Sequence, residues 1–199
     1  RSRERRAFSL LELASVLALV GLSTGCSKGG GDGPPGAGAV TPVDPVLLAF
    51  LSRAKSAHHI ADRHEEAGAL EQAIEPLQRL VDGPAPGGGG AAAPAEVREV
   101  MADSLARLAD LKSQLGRHDP AAKDVERGLA LAEETTYFRG HLFEIRGLVE
   151  ERLGKELQSK GDASGAEAAK KRALDAFEKS MSIQAEVIER ATSQKEGGP

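Results

Sequence analysis

The sequence predicts an all-α fold, and three observations predict it. Apolar residues recur at three- and four-residue spacing from Pro45 onward: Val97, Val100, Met101, Leu105, Leu108, Leu111 and Leu115 form one stripe, and Phe138, Leu142, Ile145, Val149, Leu153 and Leu157 form another. No stretch alternates cleanly with the period of two that a half-buried strand requires. Aromatic residues make up only 3% of the 199-residue chain and Trp is absent, so the core must come from Ala, Leu, Val and Ile packed between helices.

The spacing predicts helices at Pro45–Glu66, Leu70–Val81, Ala95–Leu115, Pro120–Glu134, Tyr137–Gln158 and Gly165–Thr192. Asp119-Pro120 marks a start, with an Asx cap and Pro in the first turn. Pro76 should kink a helix that contains it, because it lacks an N–H and its ring crowds the preceding turn. The chain therefore divides into an export signal or membrane anchor at 1–26, a Gly/Pro-rich tether at 27–44, a first hairpin at 45–81, a Gly/Pro/Ala linker at 82–94, two further hairpins at 95–192 and a disordered tail at 193–199. The linker is expected to let the first hairpin swing.

Charge narrows the function classes. The formal net charge is −4, and without the four Arg and two Glu of residues 1–25 it becomes −6. An acidic body disfavours nucleic acid and anionic lipid surfaces. The scarcity of rings removes platforms on which bases, sugars or flat ligands stack. Cys26 is the single cysteine, so no internal disulfide forms.

Residues 1–6, RSRERR, are basic, and Ala7–Gly25 is an apolar run interrupted by Glu12. A basic segment, an apolar segment and then small residues form an export signal. Leu22-Ser23-Thr24-Gly25-Cys26-Ser27 resembles the lipobox of bacterial lipoproteins, which implies acylation of Cys26 and cleavage before it. Ser23 stands where that family usually has Leu. Arg5-Arg6-Ala7-Phe8-Ser9-Leu10-Leu11-Glu12 resembles the leader of prepilins and pseudopilins instead. That resemblance implies cleavage between Ala7 and Phe8, methylation of the new amine, and a role for Glu12 in assembly. Ala7 replaces that family's Gly, and no β-sheet follows. A plain signal or retained anchor is the third possibility. All three place the body outside the cytoplasm, in the periplasm or facing the outer membrane or cell surface. The Gly/Pro stretch behind Cys26 would hold the body roughly 20–25 Å from its anchor.

The hairpins repeat. Gly68 lies five residues before Ala73 and nine before Leu77, and Gly116 stands in the same relation to Ala121 and Val125. Ala173 and Phe177 repeat the small-then-large pair without the Gly. A long helix, a tight turn and a second helix opening on a small residue resemble the tetratricopeptide repeat. The resemblance implies a stack of antiparallel hairpins in which Gly makes the turn, Ala admits close approach, and the larger residue fills the groove between hairpins. Ala73 to Ala121 spans 48 residues and Ala121 to Ala173 spans 52, against 34 in the family. It also implies a scaffold that binds protein partners of the cell envelope on a concave surface.

Catalytic signatures are missing: no Walker loop, no G-x-S-x-G, no C-x-x-C, no H-E-x-x-H. No catalytic, cofactor or metal residue is assigned, no small-molecule substrate is evident, and the chain is not expected to be an enzyme. On a helix, His58, Asp62 and Glu65 or Glu66 share a face while His59 and His64 diverge. A metal-binding envelope protein would need more convergent ligands than that one helix supplies. His118 and His141 read as isolated surface or turn residues. The C-terminal helix, with Lys170-Lys171-Arg172, Glu186 and Glu189, reads as a solvated face.

Overall fold

The computed structural model describes residues 44–133 and 135–196, all within one compact unit, Pro42–Pro199. The expected signal, anchor and tether, including Ala7, Phe8, Glu12 and Cys26, lie outside the described residues. The described residues are all-helical, with no strand. Six helices follow in order: α1 Pro45–Glu66, α2 Leu70–Val81, α3 Ala95–Gln114, α4 His118–Leu131, α5 Tyr137–Ser159 and α6 Ala163–Glu196.

Local chemistry sets the ends. Asp44 caps α1, its Oδ1 accepting from the Val46 N–H at 2.8 Å, with Pro45 in the first turn. Thr136 caps α5 by accepting from the Arg139 N–H at 3.2 Å. Asp119 is no cap. α4 begins at His118, which puts Asp119 and Pro120 inside its first turn, where a missing N–H leaves no helical bond unmade. α2 stays one helix through Pro76. α6 begins at Ala163 because Asp162 accepts from the Gly165 N–H at 2.8 Å. It also runs on to Glu196, so helix continues past residue 193, where a disordered tail was expected.

The three turns joining α1 to α2, α3 to α4 and α5 to α6 are copies of one another. Each ends its helix on a Gly with positive φ: Gly68 at 73°, Gly116 at 74° and Gly161 at 83°. The residue after each Gly donates its N–H back to a carbonyl of the finished helix: Ala69 to His64 at 2.8 Å, Arg117 to Lys112 at 2.9 Å, Asp162 to Leu157 at 3.0 Å. The third turn places its Gly161 twelve residues before Ala173, against five between Gly68 and Ala73 and between Gly116 and Ala121.

Core residues form two clusters that share α3. Val97, Met101, Leu105, Leu108 and Leu111 of α3 pack with Phe50, Ala54 and Ala61 of α1 and with Ala73, Leu77 and Leu80 of α2. On another side of α3, Ala102, Ala106 and Ala109 meet Ala121 and Val125 of α4 and Leu142, Ile145 and Val149 of α5. The 82–94 segment joins the first cluster: Ala93 is buried and Ala85 packs beside it. Gly87 and Gly88 turn with positive φ, and a Cβ on Gly87 would lie 2.8 Å from Ala93 Cα. This segment is packed against the core and gives the first hairpin no free spacer.

First helices touch first helices. α3 packs on α1 and on α5, while α2 packs on α1 and α3, and α4 on α3 and α5. Among the described residues α6 has extensive contact with α5 alone. Glycines set that contact. Gly140, Gly147 and Gly154 recur every seven residues along α5 and face Gln184, Phe177 and the Ala166–Lys170 turn of α6. The register is antiparallel and constant, so Phe177 lies on Gly147 of its own hairpin.

Candidate functional site

α3 is buried on most of its circumference, and from Met101 to Ser113 the polar positions that reach solvent are Asp103, Arg107, Asp110 and Lys112. The first three lie three or four residues apart and so form one row. α1 flanks this row on one side and α5 on the other, giving a polar face built from the three first helices.

Arg107 ties α3 to α1. Its Nε donates to Glu65 Oε1 at 2.9 Å and its Nη2 to Asp62 Oδ1 at 2.6 Å, with a further Nη2 bond to Glu65. Its Nη1 donates to the His58 carbonyl at 3.3 Å. His58, Asp62 and Glu65 do share one face, and the guanidinium occupies it. Guanidinium geometry suits this, because its five N–H groups fan out in a plane.

The His58 ring is polarised by its partners. Ser104 is fully buried and its hydroxyl donates to the Val100 carbonyl at 2.8 Å. Its oxygen therefore accepts at 2.8 Å from His58 Nε2, and the lone pair of Nδ1 turns toward Arg107 Nη1 at 3.5 Å. Burial lowers the His58 pKa below its ordinary 6.5; Asp103 opposes that shift, Arg107 adds to it, and Asp62 opposes it.

Across α3, His141 of α5 bonds Glu144 at 3.2 Å and stacks on the Tyr137 ring at 5.8 Å between centroids. Burial alone would lower the His141 pKa. The Glu144 bond, with the charges of Asp103, Glu144 and Asp110, outweighs it and raises the value. The same bond holds the Glu144 carboxyl below the usual range. Asp103 thus acts on both imidazoles from between them. Further along, Asp110 pairs with Arg152 at 2.7 Å, and Arg152 donates to Ser113 Oγ at 2.5 Å. Ser113, Gln114, Gly116, His118, Arg152, Lys155 and Glu156 line a shallow recess of about 240 Å³ beside that pair.

Neither His118 nor His141 is isolated. His118 is 8% exposed and bonds Glu156 at 2.9 Å across to α5. Sequence reasoning passed over Asp103, Arg107 and Asp110, although a charged row in an otherwise apolar helix was a usable signal. The repeat residues have packing roles: Ala73, Leu77, Ala121 and Val125 are buried in the two cores, and Ala173 is buried on α6. Among the described residues no group of three or more His, Cys, Asp or Glu is placed to hold a metal ion, and no helix is long and apolar enough to cross a membrane.

The two imidazoles respond oppositely to pH. A His whose folded pKa is depressed favours the unfolded chain once protonated, so the His58 contribution is full above 6.5 and falls as pH drops through 6.5. The His141 contribution is full below 6.5 and fades as pH rises through its elevated value. Urea midpoints at pH 7.5 and 5 should show the wild type losing more stability on acidification than His58→Gln, and less than His141→Gln. Identical pH dependence in all three proteins would refute these environments.

No family model, no curated protein and no solved structure matches the chain.

Proposed function

We propose that this chain is a membrane-anchored adaptor of the cell envelope, which binds protein partners through the polar face of α1, α3 and α5 in the manner of tetratricopeptide repeats. One observation carries the reading: first helices pack on first helices, and the three hairpins share one turn geometry. Stacks built this way gather their first helices on one surface, and such surfaces take up peptides and helices. Asp62, Glu65, Asp103, Asp110 and Glu144 outnumber Arg107 and Arg152 there, which suits a partner segment of net positive charge.

The anchor belongs to the proposal, with Cys26 as the lipidated residue; the prepilin-type alternative makes the chain a minor pilin or pseudopilin subunit with a helical head. Both parts are tested on full-length protein made in its own envelope. A photo-crosslinking side chain at Asp103 should yield discrete protein adducts, and the same group at Lys123, an exposed position of α4, should not. Equal adducts from both positions would remove the binding face. Intact mass of the membrane-extracted chain should correspond to a start at acylated Cys26; a start at methylated Phe8 would replace the adaptor with the pilin-like subunit.

A further inference from the structure

α6 is longer than the helix it packs on. Gln184 Nε2 donates to the Tyr137 carbonyl at 3.3 Å and Thr135 Oγ1 to Glu186 at 3.2 Å, which marks where α5 begins. The ten residues Val187–Glu196 continue past that point, an overhang of about 15 Å. Among the described residues nothing covers the outer apolar side of α6. Leu174, Met181 and Ile188 are 55%, 72% and 63% exposed, although the helix has no shortage of charged residues for solvated positions.

Their spacing is seven and seven. A repeat of seven drifts only ~20° per step on an α-helix, so the three side chains form one row about 21 Å long, with exposed Ala185 beside it. Singly exposed apolar residues are ordinary, whereas a row repeating every seven residues supplies one of the two positions in a helix-pair seam.

Charge selects the partner and the direction. Lys171 and Glu189 flank the row on the same side, one near each end, and neither makes an ion pair among the described residues. A second α6 laid antiparallel, with the two Met181 side chains facing, brings Leu174 over Ile188 of the partner subunit and Lys171 beside Glu189 of the partner subunit. The symmetry repeats both contacts. A parallel pair would leave Lys171 about 27 Å along the axis from Glu189 of the partner subunit and lose both contacts.

We propose that α6 is a self-association surface, on which a second copy of this chain docks antiparallel through Leu174, Met181 and Ile188 about a twofold axis at Met181. The interface lies on the outer helix of the stack and stands independently of the proposed partner-binding face.

The test uses full-length chain in detergent with Cys26→Ser, so that any introduced thiol is alone. Under mild oxidation, Met181→Cys should form a disulfide-linked dimer. Leu174→Cys alone should stay largely monomeric, and a mixture of Leu174→Cys with Ile188→Cys chains should cross-link. Sedimentation of the Cys26→Ser chain should give a dimer mass, Met181→Lys should weaken association at least about tenfold with unchanged helical circular dichroism, and Lys171→Glu should be rescued by Glu189→Lys. Efficient self-linking of Leu174→Cys would mean a parallel pair and overturn the proposal. So would a monomer at about 100 μM, the result if α6 is bare or covered by another protein.

Discussion

Asp124→Ala is expected to lower the free energy of unfolding by about 3–5 kcal/mol, the usual result of stranding a buried charge. Asp124 of α4 and Lys112 of α3 are 5% and 12% exposed and pair at 2.5 Å. Lys112 also donates to Gln78 Oε1 of α2 at 2.7 Å. Gln78 in turn donates to Asp82 at 2.5 Å, and Arg127 of α4 reaches Asp82 at 3.0 Å. Removing Asp124 leaves the ammonium with one neutral partner in a site that admits little water. The double replacement Lys112→Met with Asp124→Asn nearly keeps the volume and removes both charges, so it should return to within about 1–2 kcal/mol of wild type. Urea denaturation of the three proteins measures this; a loss below about 1 kcal/mol in the single variant would mean that water already reaches the pair.

The glycines of α5 give the second large effect, and they separate by what faces them. An alanine gains about 1 kcal/mol of helix propensity over glycine wherever there is room. At Gly147 there is none: a Cβ would sit 2.5 Å from the Phe177 ring. Gly147→Ala should therefore cost about 1–3 kcal/mol net, the scale of overpacking. Gly140 meets the end of a flexible Gln184 side chain, which moves aside, so Gly140→Ala should be neutral or stabilising. In a Phe177→Leu background the Gly147→Ala penalty should shrink, because the two sites share one volume. Thermal unfolding decides the matter, and equal effects at Gly140 and Gly147 would contradict the close approach at Phe177.

Helix positions were legible because the apolar period is strong: α1 and α2 begin and end on the expected residues, and the ends of α3 and α5 differ by one. What was hidden came from side chains acting across helices. Nothing local distinguishes Gly161, which lies among Ser159, Lys160 and Asp162, from a general loop glycine. Its equivalence to Gly68 and Gly116 emerges from the shared positive φ. The Asp119-Pro120 signal misplaced the α4 start because Gly116 feeds the chain into helix before a cap is needed. The 82–94 segment has the composition of a spacer, yet Ala85 and Ala93 join the apolar core formed with α1, α2 and α3. The polar face was half visible. His58, Asp62 and Glu65 share a face by helical geometry alone, but their common partner Arg107 lies 42 residues beyond Glu65.

α3 belongs to both cores, its large aliphatics turned to one and its alanines to the other. Neither core can be dismantled without stripping one side of that helix, so the stack does not open hinge by hinge from its middle. Backbone amides of α3 should exchange with solvent only through whole-domain opening, at the slow limit that global stability sets. A ligand held on the row of Asp103, Arg107 and Asp110 would therefore rest on a helix that both cores hold, and meet a surface whose shape is fixed before it arrives.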